Sequence, residues 1–132
     1  MNQDKIREKA VQFQVLQNTL RGLEQNHKMI TSDIEDVHRT RLALEDLENS
    51  KGDAYIPLGA NNFVAGEIKD NEHVLVSIGS GIAVKKKRQE ALEISEKNIK
   101  QLQKQADNIG KEIRKVTDNL MKLQTDIETL RK

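Results

Sequence analysis

Apolar residues recur along this chain at two different periods, and the changes of period divide it into three. With Ile6 as heptad position a, the a positions are Ile6, Phe13, Leu20, His27, Ile34 and Arg41. The d positions are Lys9, Leu16, Leu23, Ile30, Val37 and Leu44, and nine of the twelve are apolar. A second run places Leu92, Ile99, Ala106, Ile113, Leu120 and Ile127 at a, and Ser95, Leu102, Ile109, Val116, Leu123 and Leu130 at d. Eleven of those twelve are apolar. Heptads sustained over this length predict a coiled coil. The two stripes can face each other only if the chain folds back on itself. The pattern therefore predicts a mainly α protein with a β insert: a long antiparallel two-helix coiled coil, helix 1 over about 4–49 and helix 2 over about 87–131, in one domain spanning 1–132.

An antiparallel seam pairs a with d. Opposing residues whose numbers sum to 136 give Ile6 with Leu130, Phe13 with Leu123, Leu16 with Leu120, Leu20 with Val116, Leu23 with Ile113 and Val37 with Ile99. Ile30 then meets the small Ala106, and the polar pair Arg41 and Ser95 meet each other. A shift of one heptad would set Arg41 against Leu102 or Arg88, burying a charge against an apolar or like-charged partner. His27 opposite Ile109 is the exception, read as a structural or register residue. Gly52 is the expected left-handed cap after helix 1. Helix 2 has no clear cap residue. Near the end of the seam Lys9 interrupts the apolar stripe, which predicts that the helices splay there.

The middle of the chain alternates with period two. Segments 54–58, 63–68, 73–78 and 82–85 read as strands. Gly59-Ala60-Asn61-Asn62 and Gly79-Ser80-Gly81 are turn chemistry, and Lys69-Asp70-Asn71-Glu72 breaks the pattern between them. Two β-hairpins at the closed end of the coiled coil, within about 54–85, are the prediction. Pro57 confines its strand to an edge. A lone hairpin is marginal in water, and helices leaving from one end cover little of it. Ile56, Leu58, Val64, Ile68, Val74, Val76, Ile78, Ile82 and Val84 are therefore expected to find partners on other subunits, by strand addition or by closing a barrel.

Composition narrows the function. Aromatic residues make up 2% of the chain and charged residues 33%, so a thick globular core is excluded while a narrow seam is not. A net charge of +1 gives no field that would favour nucleic acid or membrane. Residues 1–50 carry seven basic and nine acidic groups, and residues 86–132 twelve and eight, a mild complementarity between the helices. Without cysteine there is no disulfide or thiolate chemistry. No signal-peptide core or membrane-spanning apolar run is evident, so a cytoplasmic location is expected.

Candidate chemistry is sparse. Gly79-Ser80-Gly81 lacks the remainder of a phosphate loop and is read as a turn. Lys85-Lys86-Lys87-Arg88 has no aromatic platform for nucleic acid and is read as solvated surface. His27, His38 and His73 lack metal-ligand spacing. Asp33, Glu35 and Asp36 lie on a charged helix. No catalytic constellation, cofactor site or metal site is expected, and the chain is not read as an enzyme. One anomaly points to binding: Val11 and Val15 sit i, i+4 on the outer face of helix 1, off the seam, with Met121 off the seam on helix 2 at the level of Val15.

The middle segment also resembles a known family. Ile56-Pro57-Leu58-Gly59, then Phe63-Val64-Ala65-Gly66-Glu67-Ile68-Lys69-Asp70, then the run from Val74 through Ile78-Gly79-Ser80-Gly81 to Lys86 are similar to the archaeal prefoldin alpha-subunit family, and helix, two hairpins and helix follow in family order. Many of its members carry an aromatic pair and an acidic residue where this chain has Ile82-Ala83-Val84-Lys85. The resemblance implies a hexamer of two alpha and four beta subunits whose hairpins form a double β-barrel platform. It implies an ATP-independent holdase that captures non-native proteins at the coiled-coil ends and passes them to a group II chaperonin. A hydrophobic distal grip would fall on Ile6, Val11, Phe13, Val15, Met121, Leu123, Ile127 and Leu130. The competing expectation is a static coiled-coil scaffold or tether that oligomerises through the same hairpins.

Overall fold

The structure, a computed structural model, describes residues 2–132. Helix α1 (Asn2–Leu47) is followed by strands β1 (Gly52–Gly59), β2 (Asn62–Ile68), β3 (His73–Gly79) and β4 (Ile82–Lys87), and then by helix α2 (Arg88–Arg131). Contacts divide the chain into two units, residues up to Ile34 with Gln101–Lys132, and Glu35–Lys100. Both helices contribute to both units.

The seam follows the heptads. From Asn2 to Asp46, the α1 residues that are not fully exposed are the twelve a and d positions. On α2 all twelve are likewise covered, joined by Arg88, Ala91, Ile94 and Gly110. Ile99, Val116 and Leu120 are buried. In the Glu35–Lys100 unit the helices run antiparallel: Arg41 reaches Glu96 (3.7 Å), and Glu48 reaches Arg88 (3.7 Å). In the other unit Lys9 bridges to Asp126 (3.0 Å). Both Asp126 and Glu96 lie one residue from the opposite number given by the 136 register, Ile127 and Ser95 respectively.

Lys9 thus does not loosen the seam as expected. Its ammonium leaves the stripe and joins a carboxylate on the flank of α2. Arg41 does the same, shared between Glu45 (3.3 Å) and Glu96, while Ser95 stays buried beneath it. Long cationic side chains can bury their stems and carry their charge to the rim, so a seam tolerates them when an acid flanks the opposite helix.

Helix α1 ends earlier than its pattern suggests. Glu48, Asn49 and Ser50 donate their N–H groups to the carbonyls of Glu45, Asp46 and Leu47 at 3.1–3.2 Å, and the Ser50 hydroxyl donates to Asp46 (2.9 Å). These tight turns satisfy carbonyls that the helix leaves free. Gly52 does adopt positive φ (96°), but it opens β1 and is not the helix cap.

The strands form two separate two-stranded antiparallel sheets, hairpin 1 (β1–β2) and hairpin 2 (β3–β4). They share one construction. Pairing runs from Gly52↔Ile68 to Pro57↔Phe63, skips Leu58, and closes at Gly59↔Asn62. In hairpin 2 it runs from His73↔Lys87 to Ser77↔Ala83, skips Ile78, and closes at Gly79↔Ile82. The turn residues Ala60, Asn61, Ser80 and Gly81 all have positive φ, as a type I′ turn requires. Gly59 and Gly79 follow the bulges at φ 116° and 104°, a backbone that side chains resist.

Candidate assembly and binding surfaces

Side chains that pair across a hairpin share a face, and alternate residues change face. In hairpin 2, Val74, Val76, Val84 and Lys86 form one face. Val74 and Val76 lie against Leu44 of α1 and Ala91 and Leu92 of α2, the main cluster of buried side chains in this unit. An apolar cleft of about 300 Å³ continues from there between Val37, Val76 and Ile94. Val74 and Val76 were expected to depend on other subunits; they are instead half-buried within their own chain, because the ends of the helices rise beside the sheet. Ile68 is half-buried as well.

Polar contacts fasten the same hairpin. The Asn71 side-chain amide donates to the Glu48 carbonyl at the end of α1 (3.0 Å). The Arg88 N–H donates to the Glu72 carbonyl (2.6 Å), which supplies the cap that α2 lacks in its own sequence. Asp70 accepts from the N–H groups of Glu72 (2.9 Å) and His73 (3.2 Å) and holds the His73 ring at 3.1 Å. The Glu72 N–H has the largest influence on the Asp70 carboxyl. Burial, next in size, acts the other way, the His73 N–H and ring add to the first effect, and the group sits below its ordinary value. Lys85 lies 3.9 Å from the same carboxylate. The segment Asp70–His73 thus touches α1, α2, β3 and β4.

Hairpin 1 has no comparable anchorage. Ile56, Leu58, Val64, Ile78, Ile82 and Val84, six of the expected assembly residues, are exposed in the single chain. So are three that pattern reading passed over: Tyr55 (77%), Phe63 (60%) and Leu75 (73%). Tyr55 and Phe63 are two of only three aromatic residues in the protein, and they share one face of hairpin 1. On the opposite face Ile56 folds across Gly66, where an added Cβ would meet its Cδ1 at 2.5 Å.

The distal residues divide into two groups. Val11 (64%), Val15 (58%) and Met121 (62%) stand exposed on outer helix faces. Ile6, Phe13, Leu123, Ile127 and Leu130 are half-buried in the seam, with Phe13 and Ile127 lining a shallow cleft beside Gln124. Residues 10–20 contain no charged side chain, in a chain where one residue in three is charged.

Among the described residues, no group of His, Cys, Asp or Glu side chains is arranged to hold a metal ion. Among them, no helix is long and apolar enough to cross a membrane.

Comparison with known proteins agrees with this geometry. The family model described as prefoldin subunit matches residues 3–132. Prefoldin subunit alpha 1 of Thermococcus kodakarensis is 35% identical, covering 74% of this chain and 68% of that protein. Prefoldin subunit alpha of Methanobrevibacter smithii is 34% identical, covering 82% and 75%. The fold is similar to that in a cryo-EM structure of filamentous PFD from Methanocaldococcus jannaschii, with a TM-score of 0.73 at 19% identity, covering 86% of this chain and 95% of that one. With two long helices, two intervening hairpins and relatives matched over most of its length, this chain belongs to the prefoldin family of non-enzymatic chaperone subunits.

Proposed function

We infer that this chain is the alpha-class subunit of a cytoplasmic, ATP-independent holdase. Its hairpins join those of beta-class subunits in a barrel platform, two alpha with four beta. The chain acts as a single prefoldin domain whose distal helix ends take up non-native proteins and yield them to a group II chaperonin. The observation that carries the client-binding part is the exposure of Val11, Val15 and Met121 beside a stretch free of charge.

The physical logic is additive. An apolar side chain buried by a client is worth roughly 1.5–3 kcal/mol, so one helix end binds weakly. Several ends on one platform act together through effective concentration. Ile6, Phe13, Leu123, Ile127 and Leu130 add to the grip when the terminal turns fray, since helix ends open most readily. Release needs no nucleotide, because a partner that competes for the same side chains displaces the client.

The test is suppression of client aggregation without ATP, with the beta-class partner present. Val11→Asp combined with Val15→Asp is expected to lower protection severalfold while the mass of the assembly is unchanged. Full protection by that variant would remove the distal-grip reading. A static scaffold predicts normal assembly and no protection by the unsubstituted protein.

A further inference from the structure

Every threonine in this chain lies on a helix and returns its hydroxyl to the carbonyl four residues back. Thr19, Thr31, Thr40, Thr117, Thr125 and Thr129 all do so at 2.7–3.0 Å, and Ser50 joins them at 2.9 Å. Ser95 does not. Among the described residues it is the one buried polar residue, 7% exposed, and its hydroxyl makes no hydrogen bond within the chain. Arg41 lies above it but is engaged with Glu45 and Glu96. A buried hydroxyl left without a partner is unfavourable, and buried polar groups are seldom left so. Ser95 borders the cleft of about 300 Å³ between the helices and hairpin 2, whose apolar wall is made by Val37, Leu44, Val74, Val76 and Ile94. No residue lining that cleft carries a charge.

We propose that this cleft is a binding site for a small neutral molecule with an apolar body and one hydroxyl or carbonyl group, the polar group meeting Ser95. An apolar wall with one convergent polar side chain is the usual composition of a small-molecule site, and the volume lies at the small end of the range for such sites. The absence of lining charge excludes an ionised head, which would be buried without a counter-charge. The ligand touches α1, α2 and β3 together, so its occupancy stabilises the seating of hairpin 2 on the helices by mass action. The site lies wholly within the Glu35–Lys100 unit and owes nothing to Val11, Val15 or Met121. It is therefore independent of the reading of client capture.

The experiment compares two molecules of nearly the same shape, 2-phenylethanol and propylbenzene, with the full chain and with the complex it forms with beta-class subunits. Methyl NMR reads Val37, Leu44, Val74, Val76 and Ile94 during titration. These methyls should shift saturably, while those of Val11 and Val15 stay in place. The alcohol should bind roughly fivefold or more tightly than the hydrocarbon, the worth of about one hydrogen bond. Ser95→Ala should abolish that preference and leave hydrocarbon affinity unchanged. Without ligand, the same variant should unfold at or above the temperature of the parent, because it removes an unpartnered hydroxyl. A preference that survives in Ser95→Ala, equal affinity of the parent for both molecules, or shifts confined to residues outside the cleft would overturn the site. So would a clear fall in the unfolding temperature of the variant, which would show that Ser95 has a partner in its own chain. Binding by the isolated chain that disappears in the complex would assign the cleft to a side chain of a partner subunit and overturn it as well. Ile94→Phe narrows the cleft from the opposite wall and should weaken both molecules alike, with helical circular dichroism confirming the fold.

Discussion

Hairpin 1 and hairpin 2 have the same turn, the same bulge and nearly the same length, yet only hairpin 2 is built into its own chain. Val74 and Val76 sit on Leu44, Ala91 and Leu92, and Asn71 and Glu72 hydrogen-bond to the ends of both helices. Hairpin 1 keeps Tyr55, Leu58 and Phe63 in solvent. The difference lies in side chains rather than backbone. Hairpin 2 alternates valine inward and receives a leucine from the helix. Hairpin 1 places its largest side chains on the face that nothing in the chain covers. One hairpin is a foundation and the other is an offered surface.

The largest expected contrast is in stability. Leu44→Ala removes the centre of the hairpin 2 cluster and should cost about 2–3 kcal/mol in thermal unfolding of the isolated chain. Phe63→Ser should cost about 0.5 kcal/mol or less in the same measurement, as exposed substitutions do. Equal losses would erase the distinction between the hairpins. Next in size, Asn71→Ala frees the Glu48 carbonyl and should cost about 1 kcal/mol. Amide exchange should then quicken in β3 and β4 and stay unchanged in β1 and β2. The smallest effect is that of pH. The Asp70 carboxyl is held below its ordinary value of 3.8, so its contribution is complete above that value and is lost as pH falls through the lower folded value. Exchange at the Glu72 and His73 amides should rise selectively in that acid range. An equal rise across hairpin 1 would show that Asp70 is not the group responsible.

How far the sequence could be read follows from the distance over which each feature is determined. The seam from Ile6 to Leu44 and from Leu92 to Leu130 was legible because a heptad is a local repeat. The hairpins were legible because Gly59-Ala60-Asn61 and Gly79-Ser80-Gly81 carry their turn chemistry within a few residues. The covering of Val74 and Val76 was not legible, since it depends on where the ends of two helices meet a sheet. The cap on α2 was not legible because its acceptor, Glu72, lies on the far side of hairpin 2. Lys9 looked like a break in the seam, and only the position of Asp126 makes it a tie. Tyr55 and Phe63 were read as strand formers. Their share of so small an aromatic complement was the available signal that they stand apart, exposed together on one face of hairpin 1.

The bond from Arg88 to Glu72, with Asn71 on Glu48, has a consequence for how the coil finds its alignment. Most of the heptads are alike, so sliding one helix past the other by seven residues exchanges one aliphatic side chain for another, and the place where Arg41 meets Ser95 is the step that resists it. Both helices end against the same tetrapeptide, which serves as a zero mark from which each is counted. Sliding either one would strand a backbone donor or acceptor at that mark. Within the Glu35–Lys100 unit the phase of the repeat is therefore held by these few backbone atoms together with Arg41 on Glu96.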